Sequence, residues 1–215
     1  MSFSDASNED ITDVQARPVK RAQGDAPSSV TEPPQLEPLS HSAGPPAVGA
    51  VRPNARFMRM HPAHWIAFGF GSGLSPVAPG TAGTLWAWLA WIVMSLWWTT
   101  PMEQGLLIAI SLPVAWWAST VTARNLRIAD PSAIVVDEIV AFWIVLWLVL
   151  PAGFWGQLAA FLLFRIFDAV KRGPVGWADR LMHGATGWRG GFGIVFDDLV
   201  AAFCTLLVIA MWRAW

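Results

Sequence analysis

Residues 135–150 read VVDEIVAFWIVLWLVL, in which two adjacent acids, Asp137 and Glu138, stand directly against an otherwise unbroken run of Ile, Val, Ala, Phe, Trp and Leu. An ionised carboxylate at the edge of apolar surroundings is costly unless a cation, a hydrogen-bond donor or water compensates it. The run itself has the apolar continuity of a membrane helix or half-helix. The stretch therefore predicts a helix in an apolar setting whose first turn carries charge that something else must hold.

The rest of the chain has the same bias. It has 215 residues, 54% hydrophobic and 13% charged, whereas roughly a quarter of the residues of a soluble domain are charged. A membrane protein is expected. A net charge of −1 gives no basis for a nucleic-acid partner, which calls for clustered Lys and Arg on a strongly basic chain. The single cysteine, Cys204, lies in an apolar run and reads as a structural thiol. Residues 1–55 are rich in Ser, Pro, Ala, Asp and Glu, and are expected to form a disordered tail ahead of a membrane-embedded domain over 56–215. They lack the pattern of a cleaved secretory signal.

From His64 onward, apolar runs alternate with short charged segments. The fold class expected is all-α, a polytopic membrane helical bundle of four or five membrane helices or half-helices, over about 83–99, 105–123, 134–150, 154–169 and 194–213. The third and fourth, split by Pro151-Ala152-Gly153, are two short helices or one broken one. Fifteen Trp and no Tyr suit spans whose ends meet lipid headgroups. The connections TTPMEQG and PAGFWG hold no Lys or Arg. If the spans alternate, all but one of the basic residues after residue 50 fall on the other face, Arg213 being the exception, and by the positive-inside rule that face is cytoplasmic.

The same alternation brings Asp130, Asp137, Glu138, Asp168, Asp179, Asp197 and Asp198 to that face. Asp130-Pro131-Ser132 reads as a turn and N-cap. IVVDEIVA has an echo in GIVFDDLVAA, residues 193–202, and the two acidic pairs, Asp137 with Glu138 and Asp197 with Asp198, suit a hard cation such as Mg2+ that takes oxygen ligands. Between them, in FRIFDAVKRGPVGWADRLMHG, Arg165, Asp168 and Lys171 are three residues apart and share a helix side. The stripe is either a salt-bridge ladder or a phosphate clamp, with Arg165 and Lys171 donating and Asp168 binding metal or positioning water. Asp179, Arg180 and His183 follow, and His183 is a candidate general acid. In GFGSGLSPVAPGTAGTLW, residues 69–86, small residues let the backbone approach an anion or let helices pack closely. It lacks the lysine of a Walker loop.

GFGSGLSPVAPGTAGTL, IVVDEIVAFW, FRIFDAVKRGPVGWADR, MHG and GFGIVFDDLVAA, in that order over residues 65 to about 202, closely resemble the phosphatidylglycerophosphatase A family. The resemblance implies a magnesium-dependent phosphatase of the bacterial inner membrane that removes the terminal phosphate of phosphatidylglycerophosphate during phospholipid synthesis. Carried onto this chain, it implies metal ligands Asp137, Glu138, Asp197 and Asp198. Catalytic roles fall to Asp168, His183 and Asp198, and phosphate binding to Gly80, Thr81, Gly83, Thr84, Arg165, Lys171 and Arg180. The chain departs from the family at Ala141 and Ala202, where Gly is usual, at Lys171-Arg172, where Lys-Pro is common, and in ATGWRG, residues 185–190, which reads as an insertion. Two other classes compete with the enzyme. A small transporter or cation-conducting bundle would use the acids as an ion path, but a carrier site lies near the membrane midplane. A scaffold subunit would not need both acidic pairs.

Overall fold

Proline opens four of the helices, at Pro62, Pro79, Pro101 and Pro174, where its missing N–H is not needed and its fixed φ suits the first turn. The computed structural model describes residues 49–171, 173–182 and 184–215, and every element in them is helical. Most of the tail expected over 1–55 lies outside the described residues. Two short helices, α1 (Ala55–Met58) and α2 (Pro62–Ala67), and a 3-10 segment (Gly69–Leu74) come first. Five longer helices follow: α3 (Pro79–Met94), α4 (Pro101–Leu126), α5 (Val136–Val149), α6 (Phe154–Val170) and α8 (Gly187–Ala214), with α7 (Pro174–Met182) before the last.

Pro151-Ala152-Gly153 divides its region into two separate helices, α5 and α6. Among the described residues, α4 and α8 are long and apolar enough to cross a membrane. The 16, 14 and 17 residues of α3, α5 and α6 fall short of the roughly 20 that a full crossing takes.

α5 is apolar all round and sits at the centre, packed by α3, α4, α6 and α8. Phe142, Val145 and Leu146 are wholly buried there, as expected of a helix with no polar face. α8 packs on α4, α5, α6 and α7. Three threonine hydroxyls in this core are satisfied within their own helices: Thr84 Oγ1 donates to Gly80 O (2.9 Å), Thr120 Oγ1 to Trp116 O (2.7 Å) and Thr205 Oγ1 to Ala201 O (2.8 Å).

The helices alternate in direction. Trp147 Nε1 donates to Pro101 O (3.0 Å), joining the end of α5 to the start of α4, and Arg213 Nη2 donates to Val149 O (2.7 Å) at the same end. At the opposite end Trp116 Nε1, late in α4, donates to Trp188 O at the start of α8 (2.8 Å). That second end gathers the starts of α3 and α5, the ends of α4 and α6, and the first half of α8.

Residues 130–132 make the expected turn but not the expected cap: Ile134 N–H donates to Pro131 O (2.9 Å), while α5 starts four residues past Ser132 behind Val135, with no side-chain cap. The two acids in its first turn complement the helix dipole instead.

α2 seats a buried histidine against α4. His64 Nδ1 lies 2.9 Å from Thr122 Oγ1, its Nε2 lies 3.3 Å from Asn125 Nδ2, and its ring stacks on Phe57 with centroids 4.3 Å apart. Burial, and then nearby His61, push its pKa below the ordinary 6.5. The unfolded chain then binds the proton more readily than the folded one, so the His64 contribution to stability is complete above 6.5 and is lost as pH falls through the lowered value. Thermal unfolding followed from about pH 7 to about pH 5 is expected to show this loss, and His64→Gln is expected to flatten it. Equal slopes in the two proteins would refute this role.

Candidate active site

Asp137 and Glu138 enter the charged end on the first turn of α5. Glu138 Oε1 lies 3.1 Å from Arg165 Nη1 of α6, and the same nitrogen donates to Asp168 Oδ2 at 2.6 Å. It also reaches Thr84 Oγ1 on α3 at 3.4 Å. One nitrogen of an always-charged guanidinium thereby joins three helices.

Lys171 leaves the stripe that its spacing predicts. α6 stops at Val170, Lys171 takes a left-handed conformation (φ 43°), Gly173 does likewise (φ 60°), and α7 starts at Pro174. The turn sends Lys171 Nζ to Asp179 Oδ1 of α7 (2.9 Å) and Asp197 Oδ2 of α8 (2.7 Å). Burial opposes the ammonium, but the charge of Asp197 and the hydrogen bonds to Asp197 and Asp179 outweigh it and raise its pKa. Asp197 and Asp198 are not at a helix end either. α8 starts at Gly187, so both lie about 15 Å along it, at 1.5 Å per residue.

The two acidic pairs, about sixty residues apart in the chain, share one cluster. Asp198 is within electrostatic reach of Asp168, Asp137, Asp197 and Glu138, and Asp137 is within reach of Asp197 and Asp130. Asp137, Asp168, Asp197 and Asp198 are buried. Six acids (Asp137, Glu138, Asp168, Asp179, Asp197 and Asp198) gather around two cations, Arg165 and Lys171. Asp130, which reads in sequence as part of a turn and N-cap on this face, adds its charge to the rim.

Buried oxygens left without a hydrogen-bond partner test the fit of this cluster to a metal ion. Asp137 Oδ1, Glu138 Oε2, Asp197 Oδ1 and Asp198 Oδ2 are all of this kind, one on each residue of the two pairs. Carboxylate oxygen is the donor type that a hard divalent cation takes. Among the described residues no three acids, histidines or cysteines are grouped so as to hold a metal ion by themselves. Mg2+ suits such a site, because it keeps several waters and is held through one or two carboxylates plus substrate phosphate.

The glycines of the 69–86 segment act through close approach. A Cβ on Gly80 would collide with Glu138 Oε1 and come within 2.9 Å of Arg165 Nη2, and one on Gly83 would lie 2.7 Å from Val135 Cβ. Their absent side chains admit the Glu138–Arg165 pair beside α3. Gly80→Ala is expected to displace that pair, costing about 1–3 kcal/mol of stability as overpacking does and most of the activity. A melting curve and a phosphate-release assay check it; wild-type values for both would remove Gly80 from the site. Thr81 is partly exposed on the same turn. Arg180 is exposed on α7 and, among the described residues, forms no ion pair. His183 lies outside the described residues. Sequence reading missed α7 and the pairing of Asp179 with Lys171, although Gly173-Pro174 is the usual signature of one helix stopping and another starting.

Fold and site together define an all-helical protein with crossing-length apolar helices and a buried, cation-bridged acidic cluster at one end. The model of the phosphatidylglycerophosphatase A family matches residues 65–213, and the chain belongs to this family of phosphatases. It is 38% identical over 149 residues to phosphatidylglycerophosphatase A of Escherichia coli, covering 68% of this chain and 81% of that one. With the Haemophilus influenzae protein of the same name it shares 33% over 165 residues, 76% of this chain and 96% of the relative. A Bacteroides thetaiotaomicron protein, provisionally named a phosphatidylinositol-3-phosphatase, is 39% identical over 158 residues, 69% of this chain and 91% of its own. No solved structure matches the chain.

Proposed function

We propose that this chain hydrolyses the terminal phosphate monoester of phosphatidylglycerophosphate, giving phosphatidylglycerol and phosphate for phospholipid synthesis, with Mg2+ as cofactor. The observation that carries the reading is the coincidence of the family match with one cluster that holds four orphaned carboxylate oxygens and two cations. A phosphate monoester is doubly anionic and among the slowest biological esters to hydrolyse uncatalysed, so neutralising charge is the main requirement. Arg165 and Lys171 donate to phosphoryl oxygens, helped by Arg180 and the first turn of α3 from Gly80 and Thr81 to Gly83 and Thr84. Asp137, Glu138, Asp197 and Asp198 hold Mg2+, which when bound neutralises phosphoryl charge. Asp168, fixed by Arg165, orients the attacking water, and Asp198 takes its proton. His183 gives a proton to the leaving glycerol oxygen.

The membrane setting is the bacterial inner membrane, crossed several times, with the acidic end on the cytoplasmic side. Large apolar residues exposed on four helices support it, among them Leu89, Leu106, Leu162 and Leu207, since water-facing surfaces rarely carry so many. Exposed Trp at both ends of the bundle, such as Trp97, Trp155 and Trp212 at one and Trp177 and Trp188 at the other, suits two interfacial belts. α3, α5 and α6 complete the bundle as short or half-spanning helices.

The Bacteroides relative favours a second reading, a phosphorylated inositol lipid cleaved by the same chemistry. Purified full-length protein in detergent, offered each lipid with Mg2+ or with EDTA, separates the two. Phosphate release from phosphatidylglycerophosphate is expected to be the faster and to stop in EDTA. Faster release from phosphatidylinositol-3-phosphate would transfer the assignment, and activity unchanged in EDTA would remove Mg2+ from it. Asp197→Asn excludes a scaffold role if turnover disappears in folded protein.

A further inference from the structure

The phosphatase site takes the headgroup of a lipid but leaves open where its tails go. α3 and α6 both pack on α5, and an open cleft of about 450 Å³ lies along them, lined by Leu85, Trp88, Leu89, Ile92, Phe154 and Gln157. The four α3 residues fall at i, i+3, i+4 and i+7, a single helix face. Leu85 follows Thr84, whose hydroxyl touches Arg165 in the acidic cluster. From Leu85 to Ile92 the cleft runs about 10 Å along α3, away from the charged end.

The side-chain polar atoms in its wall are satisfied. Trp88 Nε1 donates to Gln157 Oε1 (2.7 Å), and Gln157 Nε2 donates to Ala152 O (3.0 Å). Trp88 stacks on Phe154 and on Phe161, each at 5.8 Å between centroids, which fixes the floor. Leu85, Leu89, Ile92 and Phe154 remain exposed. The surface therefore asks for an apolar occupant, and its upper residue, Leu85, is the chain neighbour of Thr84, which touches Arg165.

We propose that this groove seats an acyl chain of the lipid whose phosphate monoester enters the acidic cluster, so that α3 and α6 recognise headgroup and tail on one continuous surface. The inference rests on the lipid-phosphatase reading and adds a tail subsite to it. A bulky side chain in the groove then competes with the chain but not with the headgroup.

Leu89→Trp tests this, with Leu106→Trp, on the exposed outer part of α4 and away from the groove, as the control. For long-chain phosphatidylglycerophosphate, Leu89→Trp is expected to raise KM about tenfold, the scale of methylene-level discrimination in an apolar pocket, with kcat unchanged. Kinetics on a short-chain form of the same lipid stay at wild type, and Leu106→Trp alters neither. Equal effects of the two substitutions, or none at Leu89→Trp, overturn the subsite. A readout that needs no turnover separates this from failure of the enzymatic reading. The full chain in lipid nanodiscs is cross-linked to a diazirine-tailed phosphatidic acid, which carries a phosphate monoester, or to a diazirine-tailed phosphatidylcholine, which does not. Enrichment of label on residues 85–92 and 154–157 with the first lipid alone supports the groove, even if phosphatidylglycerophosphate proves not to be the substrate. Equal labelling by both lipids assigns it to bulk bilayer, and protection from both assigns it to a second copy of the chain; either result refutes the proposal.

Discussion

Asp137→Asn is expected to lower phosphate release by several orders of magnitude while leaving thermal unfolding in EDTA unchanged or shifted upward. The amide keeps the size and shape of the side chain, so packing at the start of α5 is preserved. What it removes is one negative charge from the proposed Mg2+ shell, and with it metal affinity and the transition-state stabilisation that depends on the metal. Raising Mg2+ should therefore restore part of the activity. Without metal, Asp137 stands buried near Asp197 and Asp198, with Oδ1 unpartnered. Neutralising it relieves repulsion among like charges. Turnover against Mg2+ concentration, beside melting curves in EDTA, decides the matter. Near-normal activity with a large loss of stability would make Asp137 a structural acid and refute its place in the metal site. Glu138→Gln shares the expected loss of turnover but not the gain in stability, because Glu138 is paired with Arg165.

Where the chain's apolar periodicity and its punctuation agree, its helices are legible from sequence. The VVDEIVAFWIVLWLVL run covers the helix Val136–Val149 because burial on most sides and continuous apolar character coincide, and Pro151 with Gly153 ends it. The convergence of acids at one end is legible too, since it needs only helices that alternate in direction. The exact position of Asp197 and Asp198 is not. The span expected over 194–213 leaves out GWRGGFG, the start of α8; glycine is a poor helix former, yet tertiary contacts decide it. A Cβ on Gly191 would collide with Thr120 Oγ1, and Trp188 meets Trp116 edge-on, so α4 can hold these residues helical at close range. Lys171 shows the reverse error. Its spacing from Arg165 and Asp168 suggests a shared stripe, but Gly173-Pro174 breaks the helix and turns the lysine toward α8. His64 has no sequence signature at all, since a six-residue helix is too short to display a period.

Arg165 gives the prediction of opposite sign. Its Nη1 lies against Glu138 Oε1 and Asp168 Oδ2, with side chains 17%, 13% and 9% exposed respectively. Arg165→Met keeps the apolar stem but leaves both carboxylates without their cation. Breaking a buried pair from one side costs about 3–5 kcal/mol, because the remaining charge is uncompensated. The unfolding temperature is therefore expected to fall sharply, and turnover to disappear with the phosphate-donating guanidinium. Arg165→Lys restores the charge but not the reach and planar shape of the guanidinium, so it should recover part of the stability and little of the activity. The double variant Arg165→Met with Glu138→Gln removes one of the stranded charges, and its melting temperature is expected to exceed that of Arg165→Met alone. Such non-additivity is the signature of two residues in direct contact. Melting curves of these variants together with phosphate release carry the test. If Arg165→Met melts like wild type, the guanidinium is not what compensates Glu138 and Asp168, and the bridge between the three helices loses its role in the site.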